Sequence, residues 1–228
     1  MKTPVSTGAA SSRNVQRCRK KFLFYFKKGF DTPKYEDWER GYKWNAHVMW
    51  LELLNKQEYK RLLDAGEYIT IANNAARIES KTNLLFSFEK MALRDAIKSE
   101  EGAKAFAQGL YDLIYGTGSL EKRFNKWIAV VADLPRKQTR VLTWPLVTVF
   151  AFIANPTEHI FLKPRITKIA AEKYGFDFKY TSKPNWDTYR NYLGFAEQVG
   201  VDVADLHPKD MIDIQSFLWV LGSDEYPD

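Results

Sequence analysis

Apolar residues recur every three or four positions along most of this chain, and no sustained stretch alternates apolar and polar residues with a period of two. The first spacing is that of a helix face and the second that of a half-buried strand. An all-α fold of about ten helices is therefore expected. Breakers and caps mark the boundaries. A stripe of Trp38, Tyr42, Asn45, Met49 and Leu53 continues through Tyr59, Leu62 and Leu63 and breaks at Gly66. Glu67–Ser80 and Asn83–Lys98 read as two further helices. Ser99 is a suitable N-cap for the next, with Glu100 and Glu101 in its first turn; Gly116–Gly118 ends it. Ser119 opens another, which stops near Pro135. Helices follow at Pro145–Ala154, Ile166–Tyr174, Trp186–Val199 and Asp210–Leu221. No repeat of fixed period is visible.

At 228 residues the chain is long enough to bury a core without staples. Residues 22–228 are expected to form one helical domain. Residues 1–21, polar and rich in Ser and Arg, read as a flexible basic arm, followed by the aromatic run Phe22–Phe26. Five apolar residues in a row suit a core more than base stacking. Cys18 is the only cysteine, which excludes a disulfide scaffold, a thiolate zinc site and an iron–sulfur cluster. His47, His159 and His207 are widely separated, so no metal or other cofactor is expected. No run of about 18 apolar residues is present. The expectation is a cytoplasmic monomer with no membrane partner.

The net charge of +6 is uneven. Residues 1–34 hold nine Lys/Arg against one Asp, whereas residues 197–228 hold eight Asp/Glu against one Lys. A basic chain of this kind points to a polyanion, DNA above all, as partner. The densest signal lies between residues 134 and 174. Arg136, Lys137 and Arg140 precede a turn at Val141–Thr143. Thr143 is placed to cap a helix whose first turn holds Pro145. Free amides at that helix start, beside Arg and Lys, make an anion site. A loop then leads to the apolar run Ile160-Phe161-Leu162, which ends at Lys163 and runs directly into another helix carrying Arg165 and Lys168.

This order of motifs resembles the helix-hairpin-helix DNA glycosylases with an endonuclease III-like core. Ile160–Ile166 stands where that family has an apolar run, a catalytic aspartate and the start of a helix. Ile212-Asp213 through Gly222 looks like its last core helix. The resemblance spans roughly residues 83–222 and implies a two-lobed helical domain with a DNA-facing hairpin near residues 134–165. The chain also looks, in general character, like phage-defence glycosylases that remove hypermodified cytosines. It departs from the family pattern at several points. Val141 and Thr143 replace the hairpin glycines, Pro145 stands at the position of the nucleophilic lysine, and Lys163 stands at that of the catalytic aspartate.

The activity so implied is excision of a modified base that has been turned out of the duplex. The catalytic candidates are Lys163, Asp213 and Asp187. Lys163 is either an amine nucleophile, its pKa lowered by burial or by neighbouring cations, or a fixed cation on a phosphate. In the second case Asp213 or Asp187 supplies the negative charge. The phosphate-binding set is Arg136, Lys137, Arg140, Thr143, Arg165 and Lys168. Trp144, Trp186 and Trp219 are candidate walls of a base pocket. A module that binds DNA without chemistry is the alternative, favoured by the lysine at the aspartate position.

Overall fold

The computed structural model describes residues 12–135 and 141–228, and the fold is all-α. Among the described residues there are eleven helices of nine residues or more and no strand. Several begin as their capping chemistry requires. Ser99 accepts from the Gly102 amide at 3.1 Å to open α7 (Glu100–Tyr115), and Ser119 accepts from the Lys122 amide at 3.4 Å to open α8 (Leu120–Asp133). These bonds satisfy amides that have no partner within the helix. No described helix is long and apolar enough to cross a membrane.

The N-terminal segment departs from the expected arm. Ser12–Tyr25 forms α1, with Val15, Cys18 and Phe22 buried. Its polar residues occupy the outer face of a helix whose inner face is spaced at three and four residues. Residues 1–11 lie outside the described residues. Phe22 and Phe26 join Phe30, Tyr35 and Phe217 in an aromatic cluster, with Phe22 and Phe217 centred 5.1 Å apart.

The stripe expected at Trp38 is also displaced. The helix starting at α2 (Pro33–Tyr35) widens to a π-turn over Glu36–Arg40 before α3 (Gly41–Leu53). Its buried face carries Tyr35, Glu39, Arg40, Lys43, Ala46 and Trp50, while Trp38 is 54% exposed. Charged residues point inward because each meets a partner there. Short helices α4 (Lys56–Asp64) and α5 (Tyr68–Glu79) follow, then α6 (Ser87–Ala96), which starts later than expected because residues 81–86 form a turn and an extended connection.

In the C-terminal half, α9 (Trp144–Ala154) is buried along its whole length. α10 (Pro164–Tyr174) ends at Gly175, whose φ of 80° favours glycine. α11 (Trp186–Asp202) and α12 (Met211–Gly222) close the fold. α12 lies directly on α10. A side chain at Gly222 would come within 2.3 Å of the Ile166 carbonyl, so only glycine permits this approach. The buried side chains join into one continuous core from Val15 to Tyr226.

Candidate active site

The run Ile160–Leu162 is fixed by hydrogen bonds from both sides. Thr148 of α9 accepts from the Leu162 amide at 3.1 Å, and the Tyr192 hydroxyl of α11 donates to the Phe161 carbonyl at 3.1 Å. This threads an extended, buried segment between two helices and delivers Lys163 to the cap position of α10. Pro164 follows, where a missing amide costs nothing. Lys163 makes no capping bond, and its side chain turns inward instead.

The Lys163 ammonium donates to the Leu84 carbonyl at 2.8 Å and lies 3.7 Å from the Glu89 carboxylate and 3.4 Å from the centre of the Phe86 ring. Glu89 stands in the first turn of α6 and is itself held. Its Oε2 accepts from the Phe86 amide at 2.9 Å, and its Oε1 accepts from the Thr143 hydroxyl at 3.4 Å. Behind it, Lys90 and Glu79 form a second pair at 3.5 Å, so charges alternate in sign through the cluster. Burial draws the Lys163 pKa below its usual value, opposed first by Glu89 and then by Glu79, and burial raises that of Glu79.

This pair forms the floor of a cavity of about 440 Å³. Phe86 and Phe88 stack at 5.6 Å on its rim and are 55% and 50% exposed. Tyr180 and Trp219 stand among the other walls. The arrangement offers flat apolar surfaces to a planar guest and an amine–carboxylate pair beneath it, within the size range of about 300–1,000 Å³ usual for small-molecule sites.

Five residues singled out from the sequence meet here: Lys163, Thr143, Trp144, Arg165 and Trp219. Lys168 lies close by, its ammonium 5.0 Å from the ring centre of Tyr180. Thr143 caps α9 through the Leu146 amide at 3.4 Å. The ring of Trp144 is almost wholly buried and donates to the Thr181 carbonyl, so only an edge reaches the cavity. Trp186 is a correction, for it packs on Phe124 and Tyr189 and does not line the cavity. Asp187 is another. It is exposed at the start of α11, paired with Arg190 at 3.1 Å. Arg136, Lys137 and Arg140 lie outside the described residues.

Asp213 is the third correction. It is completely buried in a separate charged layer. Arg40 bridges it at 2.7 Å and Asp210 at 2.8 Å, the Tyr35 hydroxyl donates to it at 2.6 Å, and the Lys209 amide donates to its other oxygen at 2.7 Å. These bonds tie the start of α12 to α2 and the π-turn, and the Asp213 side chain has no exposed surface. Reading the sequence missed Glu89, Phe86 and Phe88. Their signal was present, as Phe-Ser-Phe-Glu just ahead of an apolar-periodic stretch, with the glutamate placed to reach back to an amide at the helix start.

Among the described residues no group of three or more His, Cys, Asp or Glu is arranged to hold a metal ion. Comparison of the chain with protein-family models, curated proteins and solved structures finds no match in any of the three.

Proposed function

We propose that this chain binds DNA and acts as a DNA glycosylase, excising a modified base held in the cavity above Lys163. The observation that carries the reading is the buried Lys163–Glu89 pair at the base of an aromatic cavity. Arg165 and Lys168, both exposed and on the same helix as Lys163, provide cations for the flanking phosphates. In this reading Glu89 takes a proton from the Lys163 ammonium. The freed amine attacks the anomeric carbon of the sugar. The bond to the base breaks, its electron pair leaves with the base, and the base takes the proton back from Glu89. The nitrogen passes a proton to the ring oxygen as the sugar ring opens, leaving an iminium on Lys163, which water hydrolyses to regenerate the ammonium and leave an abasic site.

The test is borohydride reduction in the presence of duplex DNA carrying modified cytosines. A covalent protein–DNA adduct is expected, absent in Lys163→Arg because a guanidinium stays protonated. Full base release by Lys163→Arg would overturn the assignment. One observation favours a second reading, binding without chemistry: the Lys163 ammonium already donates to the Leu84 carbonyl and so helps to hold the connection before α6. Salt-dependent DNA binding with neither adduct nor base release would select that reading.

A further inference from the structure

A second cavity, of about 850 Å³, opens between α1, α10 and the C-terminal residues, and it shares no lining residue with the Lys163 cavity. Its surface is mostly apolar, with Phe24, Tyr25, Leu221 and Pro227 among the walls, and Phe24 is 74% exposed. Set among these apolar groups are Arg17, Lys20, Lys21 and Lys173, against a single acidic lining residue, Asp228. Four cations and one anion leave an excess of positive charge over an apolar surface.

Two of those cations already grip an anion. The Asp228 carboxylate accepts from the Lys21 ammonium at 2.6 Å and, through both oxygens, from the Lys173 ammonium at 2.7 and 2.8 Å. The Lys21 side chain is only 11% exposed. Lys173 and Lys21 together hold the Asp228 carboxyl down to about 2. The side chain of Asp228 is 68% exposed. Tyr226 is anchored in the core by a 2.6 Å hydrogen bond to Glu39, and beyond it the Tyr25 hydroxyl donates to the Pro227 carbonyl at 2.6 Å. Burial pushes the thiol of Cys18, on the same wall, up to about 11.

We infer that this cavity binds a small amphipathic anion, with a phosphate or carboxylate head on a flat or acyl apolar body, and that Asp228 is an internal stand-in for the head, displaced when the ligand enters. The apolar body would lie against Phe24 and Leu221 and the head between Lys21 and Lys173. This site is independent of the glycosylase reading.

The test is titration of the full chain with 1-naphthyl phosphate, using inorganic phosphate and naphthalenemethanol as controls for head and body. Saturable binding of one equivalent is expected, about tenfold or more tighter than either control. Asp228→Asn, a change at an exposed side chain that does not threaten the fold, should tighten binding several-fold, and Lys173→Gln should weaken it about tenfold. A parallel arm with phosphatidate vesicles identifies the source of the head. Vesicle binding lost in Lys173→Gln points to a lipid, and vesicle binding absent beside tight naphthyl phosphate binding points to a free metabolite; either supports the site. No saturation, equal binding of inorganic phosphate, unchanged affinity in Asp228→Asn, or displacement by duplex DNA as effective as by naphthyl phosphate itself would overturn it. The last outcome would make these lysines part of a polyanion face.

Discussion

Among the described residues, two lysine–glutamate pairs have both members buried. Lys43 lies 3.1 Å from Glu39, and Lys163 lies 3.7 Å from Glu89. Burial lowers the pKa of both lysines, and the adjacent glutamate resists the shift in both. Polar groups of the core hold the first pair, with the Tyr42 ring 5.2 Å from the Lys43 ammonium and a small cavity of about 200 Å³ beside Glu39. Lys43 donates to Ser216 at 2.8 Å, and the Tyr226 hydroxyl donates to Glu39 at 2.6 Å. Around the second, one neighbour is a half-exposed aromatic ring, and the space beside it is a cavity. What separates the two is the size of the adjoining cavity, about 440 Å³ against about 200 Å³, and the half-exposed Phe86 ring over the Lys163 ammonium.

The largest expected effect is on chemistry at the open pair. Lys163→Arg should reduce base release by at least about a hundredfold while leaving DNA binding within a few-fold, since the cation is kept. Base release is measured as alkali-labile sites in DNA carrying modified cytosines. Loss of binding in proportion to loss of activity would erase the distinction between the pairs and make Lys163 a phosphate ligand.

The closed region should respond in stability instead. Lys43→Met leaves the Glu39 carboxylate buried without its cation, and Asp213→Ala leaves Arg40 with only Asp210. Removal of one partner from such a buried pair costs about 3–5 kcal/mol. Urea denaturation should show midpoints lowered accordingly, with base release per folded molecule unchanged. An Asp213→Asn protein of normal stability that releases no base would return Asp213 to the catalytic list and collapse the contrast.

The difference between the regions also governs what the sequence revealed. Helix starts were legible wherever the signal was local, as at Ser99, Ser119 and Thr143, because a hydroxyl and an amide three residues on suffice to make a cap. Lys163 was legible because an apolar run stops at it. The buried face of the π-turn and α3 was not, since Glu39, Arg40 and Lys43 read as surface until their partners on α12 and the C-terminal segment are known, and those stand some 170 to 190 positions away. The same blindness made Asp213 look free to act. Polarity hid the inner face of α1, where Val15, Cys18 and Phe22 are separated by Arg and Lys. Glu89 and the stacked rings of Phe86 and Phe88 acquire meaning only when Lys163, at the start of α10, is brought to the start of α6.

A smaller effect should appear with pH. His159 is fully buried beside the run that leads to Lys163, its Nδ1 3.3 Å from the Tyr189 hydroxyl and its Nε2 without a partner among the described residues. Burial, aided by Arg123, lowers its pKa to about 4 from the usual 6.5. The unfolded chain thus binds a proton that the folded chain refuses. Stability from this residue is fully present above about pH 6.5 and is lost as pH falls from there to about 4, amounting to about 3 kcal/mol. His159→Phe should flatten that part of the stability–pH curve, measured by urea denaturation at fixed pH values. A wild-type curve that stays flat between pH 6.5 and 4 would mean that the ring finds a partner for its second proton and that this floor of the site is wetter than its burial indicates.

The smallest expected change tests the rim of the open site. Arg165 lines the cavity and pairs with Asp224 at 2.7 Å, with both side chains more than 70% exposed. A pair so solvated contributes at most about 1 kcal/mol, so Arg165→Gln should barely alter the denaturation midpoint. If Arg165 instead contacts a phosphate of DNA whose base enters the cavity, the same substitution should reduce the slope of log K against log salt by about 0.9, one counterion's worth. Asp224→Asn should act in the opposite direction, strengthening binding at low salt by removing the carboxylate that competes for the guanidinium. Fluorescence anisotropy of a labelled duplex across a salt series measures both. An unchanged slope in Arg165→Gln would remove this helix from the DNA path, leaving the open pair with a cavity but no polyanion beside it.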